Sequence, residues 1–156
     1  FQNDIFDYIV SNGVIHHTPD TQKAVTEFYR ILKPGGKASI AVYFRNPLLR
    51  YPIWPMVRLM IPIFLRQSSG REHLFHARTP EEFVKVYDGN HTPIAKAYSK
   101  KEALAIFSSF TLLAMEPHSF PARFVKGFQK GGLVHCFLDR YCGCLLYLLL
   151  EKPFSE

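Results

Sequence analysis

The first 44 residues constrain the fold most, because two apolar runs flank one amphipathic stretch and a glycine turn. Ile5 to Val10 is short, mostly apolar and bounded by acidic and small residues, which predicts a strand buried on both faces of a parallel sheet. Thr18 and Pro19 then predict the start of a helix, because threonine can accept hydrogen bonds from the first free N–H groups and proline tolerates the first helical position. The chain therefore opens with a strand and a helix.

The predicted helix is amphipathic and ends abruptly. Pro34 cannot continue a helix, and Gly35 and Gly36 can adopt the left-handed backbone that turns the chain back. Ala38 to Phe44 is a second apolar run and is predicted to be a buried strand. The three segments together predict a right-handed βαβ crossover. The apolar stripe that would lie on the sheet consists of Ala24, Val25, Phe28, Tyr29 and Leu32.

The sequence of this unit resembles a known enzyme family. FDYIVSNGVIHHTPD, followed by RILKPGGKASIAVYF, is similar to the fourth strand, the following helix and the fifth strand of class I S-adenosylmethionine-dependent methyltransferases. The resemblance implies an α/β fold, namely the carboxyl-terminal half of a doubly wound, mostly parallel, Rossmann-like sheet with an inserted helical lid. It also implies that the apolar run Cys144 to Leu150 is the last strand, antiparallel between its neighbours.

The resemblance further implies that part of the cofactor site lies outside this chain. In the family, the glycine-rich loop after the first strand, the acid that holds the ribose hydroxyls and the residue beside the adenine all precede the fourth strand. This sequence begins at Phe1, just before that strand. We therefore expect residues 1–156 to be a single partial methyltransferase domain that is inactive alone. Its missing amino-terminal half would be a partner, either cut from a longer protein or supplied by another chain.

Four residues after the first predicted strand match the family's loop beside the methionine end of the cofactor, S-adenosylmethionine. They are Ser11, Asn12, Gly13 and Val14. A small residue at this point lets a ligand approach the backbone closely. The resemblance therefore implies proximity to the cofactor, rather than a dedicated hydrogen bond.

His16 and His17 form a titratable pair near the end of the same strand. A neutral imidazole there can accept a proton or orient a substrate nucleophile, so His17 is the candidate catalytic residue and His16 a candidate for substrate binding. Adjacent residues cannot both face one pocket. In the family such histidines more often brace the loop, and this role is the alternative for both.

The segment after the second strand differs in character. Asn46 to Arg66 is rich in apolar residues but also contains prolines and arginines, and charges in mid-span exclude a membrane-spanning helix. Because ligands bind beside the carboxyl ends of strands in open α/β sheets, residues 45–98 are predicted to be an inserted segment on the substrate side, with Trp54 in a lid over the acceptor. Two alternatives are open: the segment covers the sheet edge, or residues 47–66 contact a membrane surface or a protein.

Helix and turn signals follow along the inserted segment. Pro55 would start a helix that Pro62 would kink. A capping box at Thr79 predicts a short helix to about Tyr87, and residues 88–90 are a predicted turn. Three polar side chains could contact a substrate under the lid, although a turn, surface or packing role fits each equally well: Asp88, His91 and Tyr98.

The last third of the chain contains a helix, a strand, a loop and a second helix before the final strand. Ser99 and Glu102 form the capping box of the first helix. The buried side of that helix is predicted to consist of Ala103, Leu104, Ile106 and Phe107. The other elements are predicted over Phe110–Met115 (strand), Phe120–Gly132 (surface loop) and Leu133–Tyr141 (short helix).

Composition limits the partners and the compartment. The formal net charge of +6 permits an anionic substrate or an acidic partner surface, but a solvated basic face is the simpler interpretation, and no nucleic-acid partner is expected. The number of cysteines is odd (Cys136, Cys142 and Cys144), and no stretch of the sequence resembles a secretory signal. We therefore expect the protein to be located in the reducing cytoplasm. A zinc site would need further ligands from another part of the chain, so no metal is predicted. Buried, reduced thiols are favoured instead.

Methyl transfer by in-line displacement needs proximity, alignment and a water-poor pocket rather than many polar groups. The resemblance therefore favours a methyltransferase for a small acceptor, and a lipophilic or aromatic acceptor is preferred because the predicted lid is apolar. The alternative is a non-catalytic, methyltransferase-like module that binds a protein or membrane partner through that lid.

Overall fold

The computed structural model describes residues 1–64, 74, 76–87, 93–120 and 130–154. Two short 3₁₀ turns, Ile15–His17 and Pro47–Leu49, follow the first two strands. In chain order, the strands and helices are β1 (Phe6–Asn12), α1 (Thr21–Ile31), β2 (Leu32–Phe44), α2 (Trp54–Phe64), α3 (Pro80–Tyr87), β3 (Ala97–Tyr98), α4 (Lys100–Ile106), β4 (Thr111–His118), α5 (Leu133–Cys142) and β5 (Leu145–Glu151).

The strands form one mixed sheet in the order β1-β2-β5-β4, and the short β3 pairs with the end of β2. β1 and β3 both run parallel to β2. β5 runs antiparallel between β2 and β4, with Lys37 opposite Glu151 and Tyr43 opposite Leu145. This arrangement confirms the antiparallel position predicted for the last strand. It also brings the start of β5 to the carboxyl end of β2.

β1 is an edge strand in the part of the chain that the structure describes. The exposed fraction is 51% at Tyr8 and 63% at Val10, so the prediction of burial on both faces is wrong. An apolar run shows that the side chains of a strand can be buried on both faces. Whether they are buried depends on the elements that pack against the strand. Among the described strands, only β2 pairs with β1.

The helix after β1 begins two residues later than predicted. Thr18 ends the first 3₁₀ turn, and its hydroxyl donates to the carbonyl of Ile15 (2.7 Å). Asp20 is the N-cap instead, because its carboxylate accepts a hydrogen bond from the backbone N–H of Lys23 (2.9 Å). Threonine is a suitable N-cap residue, but the hydroxyl of Thr18 is already hydrogen-bonded within the 3₁₀ turn.

β2 begins at Leu32, without the separate turn predicted at Gly35 and Gly36. The two glycines instead lie within the strand, where its register with β1 shifts. Gly35 has a φ of +74°, and the ring of Phe154 occupies the space that a Cβ would need. Its N–H donates to the carbonyl of Lys152 (2.8 Å), so this glycine is needed where the residues after β5 pack on β2.

The buried residues form two clusters. The first cluster packs the sheet against α1 and α4 and consists of Ile15, Val25, Leu32, Ala38, Ile40, Val42, Phe44, Ala103, Phe107, Phe110, Leu146, Leu148 and Leu150. Ala24, Phe28 and Tyr29 pack against it, which confirms the predicted stripe of α1. The second cluster consists of Tyr43, Leu49, Trp54, Ile61, Val84 and Ala95. All members of the second cluster except Tyr43 belong to the segment 45–98.

The capping signals of α3 and α4 are confirmed. The hydroxyl of Thr79 accepts from the N–H of Glu82 (3.1 Å). Ser99 and Glu102 satisfy each other's backbone N–H groups at the start of α4. One detail of α4 is wrong: Leu104, predicted to be buried, is 44% exposed. Successive residues lie about 100° apart around a helix, so Leu104 falls beside the face that Ala103, Ile106 and Phe107 turn to the core.

Several predicted features lie at the limits of the described residues. The predicted turn at residues 88–90 and most of the predicted loop Phe120–Gly132 fall outside them. The helix predicted to start at Pro55 is confirmed as α2, which contains Pro62, and none of the described helices has the length and apolar character needed to cross a bilayer. All three cysteines are free, but Cys136 is exposed, so burial was wrongly predicted for that thiol.

Candidate active site

A cavity of about 330 Å³ opens at the carboxyl ends of β1 and β2. β4 ends and β5 begins at the same edge, because these strands run antiparallel to each other. Loops at this edge of a parallel arrangement are where ligands bind in open α/β sheets. The lining residues are Gly13, His16, Tyr43, Tyr87, Ser119, Cys144 and Leu145.

Aromatic rings form one wall of this cavity. The ring of His16 is buried, with 1% exposed, and lies 4.1 Å from the ring centre of Tyr43 at an angle of 42°. Tyr43 in turn meets Tyr87 edge to face, with ring centres 6.2 Å apart. Tyr43 lies one residue before the end of β2 and Tyr87 ends α3, so the wall joins the sheet to the inserted segment. Such a wall suits an apolar or aromatic ligand.

The loop after β1 reaches the same cavity through Gly13. Gly13 has a φ of +71°, and no atom lies within 4 Å of the position that a Cβ would take. Its N–H donates to the carbonyl of Ala41 (3.0 Å), which fixes the backbone at the end of β2. A held backbone with open space beside it fits the close approach of a ligand such as the methionine end of S-adenosylmethionine.

The other three residues predicted beside the cofactor differ in exposure. Ser11 is buried within β1, whereas Asn12 and Val14 are exposed. The structure thus brings Gly13 to the cavity edge with Asn12 and Val14 on either side of it. Ser11 faces the interior of the sheet and would support the loop rather than contact a ligand. The assignment of these four residues to the cofactor remains a prediction.

His17 holds the loop to the segment before β3. Its Nδ1 lies 2.7 Å from the carbonyl oxygen of Ile94. A carbonyl only accepts, so Nδ1 is the donor, and a neutral ring of this tautomer carries its acceptor at Nε2. The backbone N–H of Lys96 also donates to the carbonyl of His16 (3.1 Å), and the Lys96 ammonium donates to the carbonyl of Pro19 (2.7 Å). Of the two histidines, His16 lines the cavity and His17 braces the loop.

Apart from His16, the predicted substrate residues that the structure describes do not line this cavity. The side chain of Trp54 lies in the second cluster, 1% exposed, and its Nε1–H donates to the carbonyl of Arg78 (3.0 Å). The Tyr98 hydroxyl lies 2.8 Å from the Thr21 hydroxyl, and burial raises the pKa of Tyr98. Trp54 thus packs away from this cavity, and Tyr98 lines a separate one, so their assignment to the substrate stays a prediction. Asp88 and His91 lie outside the described residues.

Five residues of the cavity were missed by the sequence analysis: Tyr43, Tyr87, Ser119, Cys144 and Leu145. Tyr43 and Tyr87 carry a weak signal, since Tyr43 lies one residue before the end of a predicted strand and Tyr87 ends a predicted helix. Cys144 has no such signal: desolvation raises the pKa of its thiol to about 12, so the group stays protonated and unreactive. Ser119 has a φ of +67°, an uncommon conformation for a residue other than glycine, which only the structure reveals.

A larger cavity of about 570 Å³ lies on the other side of β3, between α3 and α4. Arg45 and Glu102 line it and form an ion pair at 3.2 Å. Burial opposes the ionisation of Glu102, but hydrogen bonds from Ser99 and the charge of Arg45 outweigh it and lower its pKa. Arg45 also donates to the carbonyl of Ala97 (2.9 Å), so this pair fastens β3 to α4.

Comparison with known proteins by sequence supports the resemblance. Residues 1–40 match the family model described as a methyltransferase domain. Phosphoethanolamine N-methyltransferase 2 of Caenorhabditis elegans is 46% identical over 43 residues, which are 28% of this chain and 10% of that protein. The chloroplastic 2-methyl-6-phytyl-1,4-hydroquinone methyltransferase of Spinacia oleracea is 32% identical over 74 residues, 47% of this chain and 20% of that protein. This chain therefore spans a fifth or less of these relatives.

Solved structures extend the similarity over nearly the whole chain. An S-adenosylmethionine-dependent methyltransferase from Methanosarcina mazei matches with a TM-score of 0.56 at 15% identity, over 99% of this chain and 63% of that chain. A second one from Mesorhizobium loti matches with a TM-score of 0.54 at 14% identity, over 96% of this chain and 63% of that chain. The fold is thus the Rossmann-like α/β fold of these proteins, and the resemblance to the methyltransferase family is confirmed over residues 1–40.

Proposed function

We propose that this chain forms the carboxyl-terminal part of an S-adenosylmethionine-dependent methyltransferase domain that acts on a small, lipophilic or aromatic acceptor. The observation that carries the proposal is the juxtaposition of Gly13, with open space beside a left-handed backbone, and the aromatic wall of the 330 Å³ cavity. The match of residues 1–40 to a methyltransferase domain supports it independently. The remaining part of the cofactor site would come from an amino-terminal half of the domain.

The aromatic wall favours the acceptor class. His16, Tyr43 and Tyr87 present ring faces and edges, and Leu145 adds an aliphatic side chain. S-adenosylmethionine supplies an electrophilic methyl group when it is bound. The residues of this chain would align the acceptor with that group and exclude water, which are the main requirements of such a transfer.

Proton transfer is needed only when the acceptor atom carries a proton. The Nδ1 of His17 is committed to the carbonyl of Ile94, and a neutral ring of this tautomer has basic Nε2. His16 lines the cavity and His17 packs behind it. We therefore propose that the main role of His17 is to brace the loop, and proton transfer is the alternative role.

Two substitutions of His17 separate these roles in a protein that carries this chain within a complete methyltransferase domain. His17→Asn retains an N–H donor near the position of Nδ1 but has no basic nitrogen, whereas His17→Ala loses both. A bracing role predicts that His17→Asn keeps most of the turnover and that His17→Ala loses stability. Equal loss of turnover in both variants, with unchanged melting, would instead make His17 the base.

Gly13 tests the position of the cofactor. Asparagine tolerates a left-handed backbone, so Gly13→Asn places a side chain in the open space with little strain. We expect the affinity for S-adenosylmethionine, measured by calorimetry, to fall on the order of tenfold. Gly131→Asn is the matched control, because Gly131 has a φ of +92° and equally open space before α5. Unchanged affinity in Gly13→Asn would mean that the loop after β1 does not face the ligand.

A non-catalytic module is the second candidate. The exposed apolar side chains of α2 favour it, since they are a surface suited to a partner. Methyl transfer decides between the two candidates. If the complete domain transfers methyl groups, and a substitution that abolishes cofactor binding also abolishes this transfer, the enzyme is supported. If the domain binds the cofactor but transfers no methyl group to lipophilic or aromatic acceptors, the module is supported.

A further inference from the structure

α2 buries one side and exposes an apolar stripe on the other. Trp54 and Ile61 face the second cluster and are buried. The opposite side presents four large apolar residues at the spacing i, i+3, i+4 and i+7, which places them on one face of a helix. These residues form what we call the α2 outer stripe: Met56, Leu59, Met60 and Ile63, each between 38% and 72% exposed. Single exposed apolar residues are ordinary, but a continuous stripe is not.

α5 has a stripe of the same kind. Its inner face is tied to β4, because Asp139 accepts from the ring of His118 (2.9 Å) and from the N–H of Phe120 (2.7 Å). Its other face presents the α5 outer stripe, which is more than half exposed at each position and consists of Leu133, Val134, Phe137 and Tyr141. The rings of Phe137 and Tyr141 are in tilted contact, with centres 4.7 Å apart, so they form one continuous apolar surface.

The two helices are joined through the second 3₁₀ turn. The side-chain oxygen of Asn46 accepts from the N–H of Leu48 at the start of this turn (3.0 Å). Its amide nitrogen donates to the carbonyls of Cys142 and Gly143 at the end of α5 (3.1 and 3.2 Å). The N–H of Trp54 donates to the carbonyl of Arg50, which follows the turn directly (2.8 Å). Asn46 thus holds the end of α5 beside the segment that leads into α2.

The charges in the sequence around both helices are mainly positive. Residues 38–71, which include α2, contain five arginines and no Asp or Glu; residues 117–142, which include α5, contain two arginines, two lysines and one acid, Asp139, whose carboxylate is held on the inner face by His118 and Phe120. The net charge of these two stretches, +8, exceeds the formal net charge of +6 of the whole chain, so the rest of the chain is slightly acidic. The positive charge of this protein is therefore concentrated in the two stretches that expose apolar stripes.

We propose that the two outer stripes dock this protein on the surface of an anionic phospholipid membrane. Helices that combine an exposed apolar face with positive charge lie in the interface of such a membrane, where the apolar face enters the acyl boundary and the cations meet the headgroups. Methionine, leucine and aromatic residues suit that boundary. A lipid surface fits better than a protein partner because it matches both the positive charge and the exposed apolar stripes of two separate helices.

Sedimentation with vesicles tests the proposal on the chain itself. We expect the chain to pellet with vesicles of phosphatidylcholine and phosphatidylglycerol at least about tenfold more strongly than with phosphatidylcholine alone, since each arginine near an anionic surface contributes about fivefold. High salt should reduce this preference, because it screens the headgroups. Equal binding to the two kinds of vesicle, or binding to neither, would overturn the proposal, and the second result would leave a protein partner for the surface.

Substitution of the stripes tests the apolar contribution. Two variants replace exposed side chains of one stripe each: Met56→Gln/Leu59→Gln/Ile63→Gln for α2 and Leu133→Gln/Phe137→Gln for α5. We expect each variant to keep the melting temperature and to bind vesicles about tenfold or more weakly. Leu104→Gln/Leu113→Gln is the matched control, since both residues are 44% exposed and lie outside the stripes. Wild-type binding by both stripe variants, or an equal loss in the control, would contradict the proposal. Because no cofactor or acceptor is present, the result is independent of the proposed methyl transfer.

Discussion

The first and second clusters differ in how they are enclosed. Members of the first cluster lie between the sheet and two helices, and Ile40 and Leu148 at its centre are at most 1% exposed. The second cluster is covered on its outer side by α2, whose own outer stripe is in contact with solvent. Burial in the first cluster is completed by hydrogen-bonded strands and two helices, whereas the second cluster is closed by α2 and α3 of the inserted segment. The difference indicates that stability resides mainly in the sheet and that the inserted segment is the part that can respond to a ligand or a surface.

The largest expected effect is a loss of stability in the first cluster. Leu148→Ala should lower the free energy of unfolding by about 3 kcal/mol, because the cavity in a closed core cannot relax. Leu49→Ala in the second cluster should cost about 2 kcal/mol or less, since α2 can move inward. Urea unfolding followed by circular dichroism measures both. Identical losses in one shared transition would show that the two clusters form a single cooperative unit.

The next effect is functional and concerns the whole inserted helix. In a complete domain, replacement of Pro52 to Arg66 by a short glycine linker should abolish methyl transfer while cofactor binding and most of the melting temperature are retained. The sheet keeps its first cluster, but Trp54 and Ile61 leave the second cluster. Collapse of the fold would make the segment part of the core, and retained transfer would favour partner binding over a role in the acceptor pocket.

A smaller effect is expected from the single hydrogen bond that anchors α2. Trp54→Phe keeps an aromatic ring against Phe83 but removes the Nε1–H that donates to the carbonyl of Arg78. We expect a loss of about 1 kcal/mol, because Arg78 is exposed and water can satisfy its carbonyl. Trp54→Ala is the reference and should cost several times more, at about 3 kcal/mol. Similar losses in both variants would mean that the hydrogen bond, and not packing, holds α2.

The smallest effect concerns the thiols at the boundary between the clusters. Burial raises the pKa of Cys144 from 9.0 to about 12, so a thiol reagent at pH 8 should modify the exposed Cys136 quickly and Cys144 only after unfolding. A raised pKa in the folded state stabilises the fold at low pH, and this contribution is lost as the pH rises from about 9 towards 12. Cys144→Ala should remove that part of the alkaline loss of stability. Rapid modification of Cys144 in the folded protein would contradict its desolvation.

Much of the architecture was predictable from the sequence because its signals are local. The stripe of α1, the capping residues Thr79 and Ser99, and the apolar run of β5 depend on neighbours within a few residues. Local signals gave the wrong N-cap for α1, because Thr18 and Asp20 are both suitable cap residues. Thr18 belongs to the 3₁₀ turn, so Asp20 caps the helix. The loop residue Gly13 was predictable in the same way, since a glycine after a strand marks a position where the backbone can turn.

The remaining features depended on contacts between distant parts of the chain. β1 has the composition of a central strand, yet its exposure follows from its place at the edge of the described sheet. The cavity wall joins Tyr43, Tyr87 and Cys144 from three separate elements, and no spacing in the sequence links them. Sequence pattern determined which elements form and which face of each is apolar, because helix and strand periodicity are local properties. Only the tertiary structure decided which apolar faces are covered, because burial is a property of pairs of elements.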